Sequence, residues 1–407
     1  DDSSNGVGNL MAAATRYGTT TRTFEQIAEF TESRGIELGS SAGRNTVNFA
    51  AQCLPGDVNA TIELMADLAI HPTFPEAYVG MLKQQTIAAI ARIDDQWSSQ
   101  LQDFFHRRFY ERSPYRMRPQ GTAESVGSMT PESIGAFHDA GLRAGCGVLA
   151  VYGKVDADAV AAMVGKAFGP MAAGDGAKLF EEGVDGPIAE PAVYVKKSNH
   201  TQTAGVMIGY RGMRITDVED RYAAAVMATM IGGYSYPGGW LHNSLRGRDP
   251  HTGQIRDMVY AVHFVNRPWV LPGYLAAIAG CQPDKVNEVA GLILEKLDRA
   301  RAGLFEAEEF ATAKDLIVSA DAIDRQTNGD LAAQAALDEL FGLGHAFSQA
   351  DADRIRAVTM EEVRRVAAKY LTQPIICITT PAPEAVKLPY KTTVVEAAPA
   401  GEAAIDG

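Results

Sequence analysis

Residues 6–23 have the sequence GVGNLMAAATRYGTTTRT and place a Gly-Thr turn, Gly18-Thr19, directly before an amphipathic helix. The helix is predicted over residues 23–34. Its first turn contains a capping box formed by Thr23 and Gln26, and Gly35 ends it. Apolar residues recur within it at helical spacing, which predicts one face packed against a core.

Length and composition indicate a globular protein of two domains. The chain has 407 residues, of which 46% are hydrophobic and 21% charged, as in typical soluble proteins. No apolar run is long enough to span a bilayer, and no signal segment opens the sequence. The first residue is Asp1 rather than Met, so the localisation cannot be read from this end of the sequence. We expect a soluble protein, cytoplasmic or periplasmic. The formal net charge of −13 disfavours a nucleic-acid partner.

Similar landmarks about 230 residues apart indicate an internal duplication. Two cysteine pairs lie 228 and 231 residues apart, a phenylalanine pair 231 apart, and two threonines that begin helices 229 apart. These pairs are Cys53 and Cys281, Cys146 and Cys377, Phe74 and Phe305, and Thr130 and Thr359. All four cysteines lie in apolar runs without a C-x-x-C motif, so buried free thiols are predicted.

The element pattern predicts two homologous α+β sandwich domains, each a mostly antiparallel sheet with helices packed on one face. Asp57 is predicted to cap the second of the helices. The predicted helices are 23–34, 57–69, 75–93 and 217–231. The predicted strands are 47–53, 146–152, 193–197, 203–210 and 375–380.

Composition also predicts the domain boundaries. The first domain is residues 1–175, a linker rich in Gly and Ala spans 176–191, the second domain is 192–382, and 383–407 is a disordered tail. The two strands that open the second domain have no counterpart in the first. A sheet without them has an unpaired edge, so we expect that the chain belongs to something longer or that a partner segment completes the sheet.

From about residue 6 to 382 the chain resembles the pitrilysin/insulinase-type metallopeptidases, the inverzincins, in which an H-x-x-E-H helix runs into a Gly-Thr turn. The family builds a peptidase from two similar halves. One half carries zinc, and the other often lacks it and closes the substrate chamber. The segments that carry the resemblance are Gly18-Thr19, His71-Pro72-Thr73-Phe74, Pro114-Tyr115, Gly121-Thr122-Ala123-Glu124-Ser125, Val151-Tyr152-Gly153 and Gly232-Gly233.

The resemblance assigns the zinc-site positions to residues that cannot bind the metal. The two histidine positions fall on Asn9 and Ala13, the catalytic glutamate on Ala12, and the third ligand near Ala88 or Ala89. One amide and three methyl groups are not a zinc ligand set. The resemblance therefore implies no cofactor in this chain and zinc in a partner half, fused upstream or separate. It points to the inactive half, similar to the non-catalytic subunit of mitochondrial processing peptidase.

The second half of such peptidases commonly supplies an Arg and a Tyr, in a pattern like L-R-E-x-x-G-x-x-Y, that bind the substrate backbone and the oxyanion. Tyr260 matches the tyrosine. Arg246 keeps the Leu-Arg context but precedes Tyr260 by 14 residues, which requires an insertion around residues 249–253, and Arg256 is the competing arginine. A guanidinium and a phenol both donate hydrogen bonds to developing negative charge. The alternative is a surface arginine and a core-facing tyrosine.

Other chemistry has little support. The eight histidines include no i, i+4 pair, and His242 and His251 are interpreted as surface residues. Residues 234–240 form either a plain turn or a peptide-handling loop. The resemblance implies that the chain closes a peptidase chamber and contributes peptide-binding residues to proteolysis by a zinc-bearing half. The alternative is an inert scaffold, like the core subunits of respiratory complexes that descend from this family.

Overall fold

Helices and strands follow one another along both halves of the chain. The computed structural model describes residues 2–175, 184–234, 238–249 and 251–395. The elements up to residue 175 are α1 (Val7–Ala14), α2 (Phe24–Glu32), β1 (Glu37–Ala42), β2 (Val47–Gln52), α3 (Val58–Ile70), α4 (Glu76–Ala91), α5 (Trp97–Phe109), α6 (Ala123–Ser128), α7 (Pro131–Gly141) and α8 (Ala157–Phe168). The later elements are β3 (Ala192–Lys197), β4 (Ala204–Arg211), α9 (Val218–Gly232), α10 (Gly239–Arg246), β5 (Val259–Arg267), β6 (Tyr274–Cys281), α11 (Val286–Arg301), α12 (Ala307–Asp324), α13 (Asn328–Leu340), α14 (Asp351–Ala357), α15 (Met360–Tyr370), β7 (Ile375–Thr380) and β8 (Thr392–Val395).

These elements confirm the predicted α+β class, and the capping box of α2 forms as predicted. The backbone amide of Thr23 donates to Oε1 of Gln26 over 2.9 Å, and the amide of Gln26 donates to Thr23 Oγ1 over 3.4 Å. Asp57 is the N-cap residue of α3, as predicted, but it does not cap the helix with its side chain. Its side chain makes no capping bond because the residue lies in a 3-10 turn, and its carboxylate sits 3.6 Å from Arg34 Nε.

The described chain divides into two compact units, each built from separate segments. Unit 1 comprises Asp1–Ile93, Met117–Glu182 and Asp324–Ser348, and unit 2 comprises Asp94–Arg116, Gly183–Ile323 and Gln349–Gly407. Sequence position alone would assign α5 to the first domain and α13 to the second. In the structure α5 belongs to unit 2, because it packs on β4 and β7, and α13 belongs to unit 1.

In unit 1 the Gly18-Thr19 turn is held by Asp67 of α3. This nearly buried carboxylate accepts hydrogen bonds from the hydroxyls of Thr19 and Thr21, each 2.7 Å long, and from Arg22 Nη1 at 2.5 Å. Burial alone would raise the pKa of Asp67, but these hydrogen bonds hold it below its usual value. The turn between α1 and α2 is therefore fixed by a residue far along the sequence.

Replacing Asp67 by Ala is expected to lower the free energy of unfolding by about 2–3 kcal/mol at neutral pH, because three donors lose a charged acceptor. The folded pKa is lowered, so the contribution is complete above the unfolded pKa of about 4 and is lost as the pH falls through the folded value. Urea unfolding followed by circular dichroism at several pH values measures this. Asp158→Ala, at an exposed position of α8, is the control. An Asp67 variant as stable as this control would contradict the role.

The predicted strand over residues 146–152 does not form. Cys146 ends a short 3-10 turn and residues 147–152 have no strand partner, leaving Val148, Leu149 and Tyr152 more than a third exposed. Its sequence counterpart in unit 2, β7, pairs with both β3 and β4. Unit 1 has no described counterpart of those two strands, and an apolar run without a partner cannot satisfy its backbone as a strand.

Unit 2 is built on a six-stranded sheet in the order β5-β6-β4-β7-β3-β8. The pairs β5-β6, β6-β4 and β4-β7 are antiparallel, and β3 runs parallel to β7 and β8. Residues of α9, α11 and α15 form one buried cluster with the sheet. Among the described strands, β5 and β8 are the edges.

Helix α5 covers the other face of this sheet, which corrects the prediction of helices on one face. Along β4, Val206 and Ile208 join the cluster with α9, α11 and α15, whereas Gly209 faces α5. A Cβ atom at Gly209 would clash with the ring of Phe105, so glycine allows the helix to lie close to the strand. Both faces of the central strands are therefore buried.

Two of the four matched pairs of landmarks occupy similar places in the two units. Cys53 follows β2 and Cys281 ends β6, and each precedes by two residues a proline that opens a 3-10 turn into a helix. Thr130 and Thr359 both close capping boxes, at the start of α7 and α15. Cys146 and Cys377 differ, because only the latter lies in a strand.

The predicted linker and tail lie partly outside the described residues, which exclude 176–183 and 396–407. The described part of the tail is not disordered as predicted. Strand β8 pairs with β3, and the amide of Lys387 donates to Asn287 Oδ1 over 2.7 Å. Main-chain pairing with an available strand edge holds a segment whose composition alone suggests disorder.

Candidate functional site

A cavity of about 620 Å³ in unit 2 runs along the edge strand β5. Residues 260–268 line it on one side. Helix α9 contributes residues at the spacing of a single helix face, and α10 contributes two more. The α9 residues are Arg221, Ala225, Ala228, Thr229 and Gly232. The cavity is thus a groove bounded by a strand edge and a helix; we call it the β5 groove.

Tyr260 enters the β5 groove from a β-bulge. The pairing of β5 with β6 passes from Val259↔Cys281 to Ala261↔Gly280, so Tyr260 is the extra residue. A bulge redirects a side chain, and Tyr260 is 49% exposed rather than core-facing. Its hydroxyl donates a long hydrogen bond of 3.3 Å to the carbonyl oxygen of Gln202.

Arg246 reaches the same groove from the last residue of α10. Its Nη1 donates to the backbone carbonyl oxygen of Tyr260 over 2.8 Å, and its Nε lies 3.9 Å from an oxygen of Asp257. The side chain is 51% exposed, so a ligand can reach the guanidinium. The structure therefore brings together two residues that are 14 positions apart.

Arg256, the competing arginine, is directed elsewhere. Its Nη1 lies 3.5 Å from the carbonyl oxygen of Ser244, and its Nη2 bonds the side-chain oxygen of Gln254. It is not among the residues that line the β5 groove. The geometry pairs Tyr260 with Arg246.

The inserted loop after Arg246 is closed by a buried ion pair. Lys296 Nζ of α11 lies 2.8 Å from Asp249, and both side chains are at most 2% exposed. The same carboxylate accepts from the backbone amides of His251 and Thr252 at 2.8 and 2.9 Å. Burial alone would raise the pKa of Asp249, but the Lys296 ammonium and these amides hold it far below its usual range. The ion pair therefore anchors the beginning of the loop to α11, and α10 packs against β5.

Comparison with known protein families matches two models to consecutive parts of the chain. The model described as "Insulinase (Peptidase family M16)" matches residues 1–120, and "Peptidase M16 inactive domain" matches residues 128–317. The chain belongs to peptidase family M16. The groove residues Tyr260 and Arg246 lie in the part that matches the inactive domain.

Relatives of this M16 chain include proteins named as zinc proteases. An uncharacterized zinc protease of Mycobacterium leprae is 26% identical over 362 residues, 87% of this chain and 78% of that protein. A probable mitochondrial-processing peptidase subunit beta of Arabidopsis thaliana is 21% identical over 391 residues, 94% of this chain and 71% of that protein.

Solved structures share the fold. The peptidase M16 inactive domain from Pseudomonas fluorescens superposes with a TM-score of 0.78 at 18% identity, covering 93% of this chain and 89% of that one. A protease from Helicobacter pylori gives a TM-score of 0.81 at 15% identity, with 94% and 91% covered.

The residues that the resemblance assigns to the zinc positions lie on α1 and α4 of unit 1. Ala12 is fully buried, and its carbonyl oxygen accepts from Ser40 Oγ over 2.6 Å. Ala89 is exposed near the end of α4. Within the described residues, no group of three or more His, Cys, Asp or Glu side chains could hold a metal ion. Asn9, Ala12, Ala13 and Ala89 supply no zinc ligand set, so the residues present do not fit the family's metal.

This M16 chain is expected to hold no stoichiometric zinc and to cleave no peptide by itself, because those positions carry methyl and amide groups. Elemental mass spectrometry after zinc loading and dialysis measures the metal content. A variant with Asn9→His, Ala13→His and Ala89→Glu restores ligand chemistry and is expected to gain metal affinity. One zinc per unmodified chain that survives dialysis would overturn the assignment.

Other candidate residues have ordinary surroundings. His251 packs edge-on against Trp240 with ring centroids 5.4 Å apart, whereas His242 lines the β5 groove.

Burial, with a smaller effect of Asp284, raises the pKa of the Cys281 thiol to about 12. Cys377 is buried too, but Cys53 and Cys146 are only partly buried, which corrects the prediction for those two.

The loop of residues 234–240 is described only in part, because residues 235–237 lie outside the described chain. No helix in the described ranges is long and apolar enough to cross a membrane.

Sequence reasoning missed several groove and loop residues. Arg221, His263 and Arg267 line the β5 groove, and Lys296 anchors the loop. The alternation of exposed His263 and Arg267 with buried Val262 and Phe264 is a signal that marks the exposed face of β5. No comparable signal exists for Lys296, since lysines on amphipathic helices usually face solvent.

Proposed function

We propose that this M16 protein is the non-catalytic half of a zinc-dependent peptidase and contributes Arg246 and Tyr260 to proteolysis by a zinc-bearing half. The observation that supports this most is the convergence of both side chains on the β5 groove, in a chain whose zinc positions carry Asn and Ala. A polar pair of this kind, in a chain whose zinc positions have no metal ligands, is what is expected of a half that binds substrate and closes a chamber.

The chemistry of the pair suits peptide hydrolysis. The guanidinium of Arg246 uses one N–H group to bond the Tyr260 carbonyl oxygen. Because the side chain is half exposed, its other N–H groups are available to a substrate carbonyl. The Tyr260 hydroxyl would have to leave the carbonyl of Gln202 to serve substrate, and its 3.3 Å bond there is long. A phenol that donates to developing oxyanion charge stabilises the transition state more than the ground state.

The comparisons support a peptidase system without identifying the partner. Curated relatives named zinc proteases match most of this chain. In the proposal the zinc lies in the partner half, which attacks the peptide bond with a metal-activated water. The present half encloses the substrate and orients the scissile carbonyl.

The test is reconstitution. A zinc-bearing M16 half encoded by the same organism is assayed on quenched fluorescent peptides with and without this chain. We expect cleavage by the mixture only, and its loss on chelation. A zinc half that is fully active alone, and unaffected by this chain, would favour an inert scaffold instead.

A further inference from the structure

The β5 groove is cationic although the protein as a whole is acidic. Its basic lining residues are Arg221, Arg246 and Arg267 with His242 and His263. No Asp or Glu is among the described residues that line it, whereas the whole chain has a formal net charge of −13. Asp257, whose carboxylate lies 3.9 Å from Arg246 Nε, is 87% exposed and is not among the lining residues. Positive charge is therefore concentrated where a ligand can enter.

The groove also offers an open strand edge. Strand β5 pairs with β6 and has no second neighbour among the described strands. Such an edge presents backbone N–H and C=O groups that pair readily with an extended peptide. From Tyr260 to Arg267 the edge spans about 25 Å, the length of seven to nine extended residues.

Two buried polar atoms in the lining have no partner among the described residues. They are Nδ1 of His242 and Oδ1 of Asn266. Buried polar atoms are nearly always hydrogen-bonded in folded proteins, so these two indicate a ligand or water that completes the site. They lie on α10 and β5, the two elements that also present Arg246 and Arg267.

We propose that the β5 groove binds an extended peptide rich in Asp and Glu, added as a strand to the edge of β5. The proposal rests on the proposed function, since the peptide would be a substrate of the assembled peptidase. Main-chain pairing would supply affinity for any sequence. Carboxylates at alternate positions lie on one side of a strand, and there they would meet Arg267 and Arg221 in charge-assisted hydrogen bonds.

Fluorescence anisotropy with the full chain and three labelled nine-residue peptides tests the preference. The peptides share a length and differ only in carrying four Glu, four Gln or four Lys residues at alternate positions. At about 50 mM salt the Glu peptide is expected to bind about 10-fold tighter than the Gln peptide, and the Lys peptide more weakly still. Near 500 mM salt the difference should shrink, because the charges are then screened. Equal affinities for the three peptides would overturn the proposal.

Charge variants locate the site. Arg267→Gln is expected to weaken binding of the Glu peptide about 3- to 10-fold and to leave binding of the Gln peptide nearly unchanged. Arg356→Gln removes the same charge from a 60% exposed arginine outside the groove and is the matched control. Circular dichroism of both variants confirms folding. If both variants weaken binding equally, the effect reflects net charge and the groove assignment is wrong.

Backbone methylation tests the added strand. In a strand paired on one side, every second amide faces β5, so N-methylation of one alternate set should abolish binding and methylation of the other should spare it. Equal effects of both sets would contradict strand addition. These measurements need no zinc-bearing half. A negative result in the peptide-binding measurements would therefore not contradict the proposed peptidase function, which the reconstitution assay tests. A negative reconstitution assay would likewise not contradict peptide binding in the β5 groove.

Discussion

Tyr260→Phe is expected to lower kcat of the peptidase assembled with its zinc-bearing half by about 10- to 1000-fold, a range that includes the loss of about 100- to 1000-fold seen when one oxyanion donor is removed. The substitution removes only the hydroxyl, which lies at the β5 groove and bonds the Gln202 carbonyl over 3.3 Å. KM should change less than kcat, because the interaction strengthens as charge develops. Steady-state kinetics on a quenched fluorescent peptide measures both.

Assembly and folding should be unaffected by this change. Binding of the zinc-bearing half, measured by analytical ultracentrifugation, is expected to match the unmodified chain. Tyr152→Phe, at a partly exposed tyrosine of unit 1, is the control and should retain full activity. An unchanged kcat for the Tyr260 variant would contradict a role of the Tyr260 hydroxyl in the transition state and would favour the scaffold hypothesis.

The two arginine candidates separate in the same assay. Arg246→Ala is expected to lower kcat and to raise KM more than Tyr260→Phe does, since a guanidinium also holds the ground-state carbonyl. It also loses the 2.8 Å bond to the Tyr260 carbonyl. Arg256→Ala should change neither constant substantially, because that side chain bonds Ser244 and Gln254 of the neighbouring loop. The reverse pattern would reassign the arginine.

Replacing Lys296 by Ala is expected to lower the free energy of unfolding by about 3–5 kcal/mol, the usual cost of leaving one member of a buried ion pair without its partner. Asp249 is 1% exposed and would become a buried carboxylate without a counter-ion once the ammonium 2.8 Å away is removed. The loss should be seen in urea unfolding at neutral pH. Because the folded pKa of Asp249 is lowered, its stabilising effect is complete above about pH 4 and is lost as the pH falls further.

Two variants give this prediction its controls. Lys285→Ala removes an exposed lysine that lies 4.0 Å from Glu288, and it should cost no more than about 1 kcal/mol. The double variant Lys296→Met and Asp249→Asn removes both charges and is expected to recover much of the lost stability. A Lys296 variant as stable as the Lys285 variant would show that the buried pair contributes little.

Much of the framework was readable from the sequence because it depends on near neighbours along the chain. The capping boxes at Thr23 and Thr359 require residues three positions apart, and both form. The periodic apolar residues of α2 and β2 define their faces locally. Likewise, Asn9, Ala12 and Ala13 exclude the family's zinc ligands by their chemistry alone, wherever the chain places them.

Only the tertiary structure decided how distant segments meet. The apolar run 146–152 resembles β7, but it forms no strand because no described neighbour pairs with it. Arg246 rather than Arg256 contacts Tyr260, because Arg246 bonds the Tyr260 carbonyl oxygen whereas Arg256 bonds Ser244 and Gln254. The cationic β5 groove likewise gathers side chains from α9, α10 and β5. A strand or a charged pocket needs partners from elsewhere in the chain. The local sequence pattern does not show whether the fold places those partners next to it.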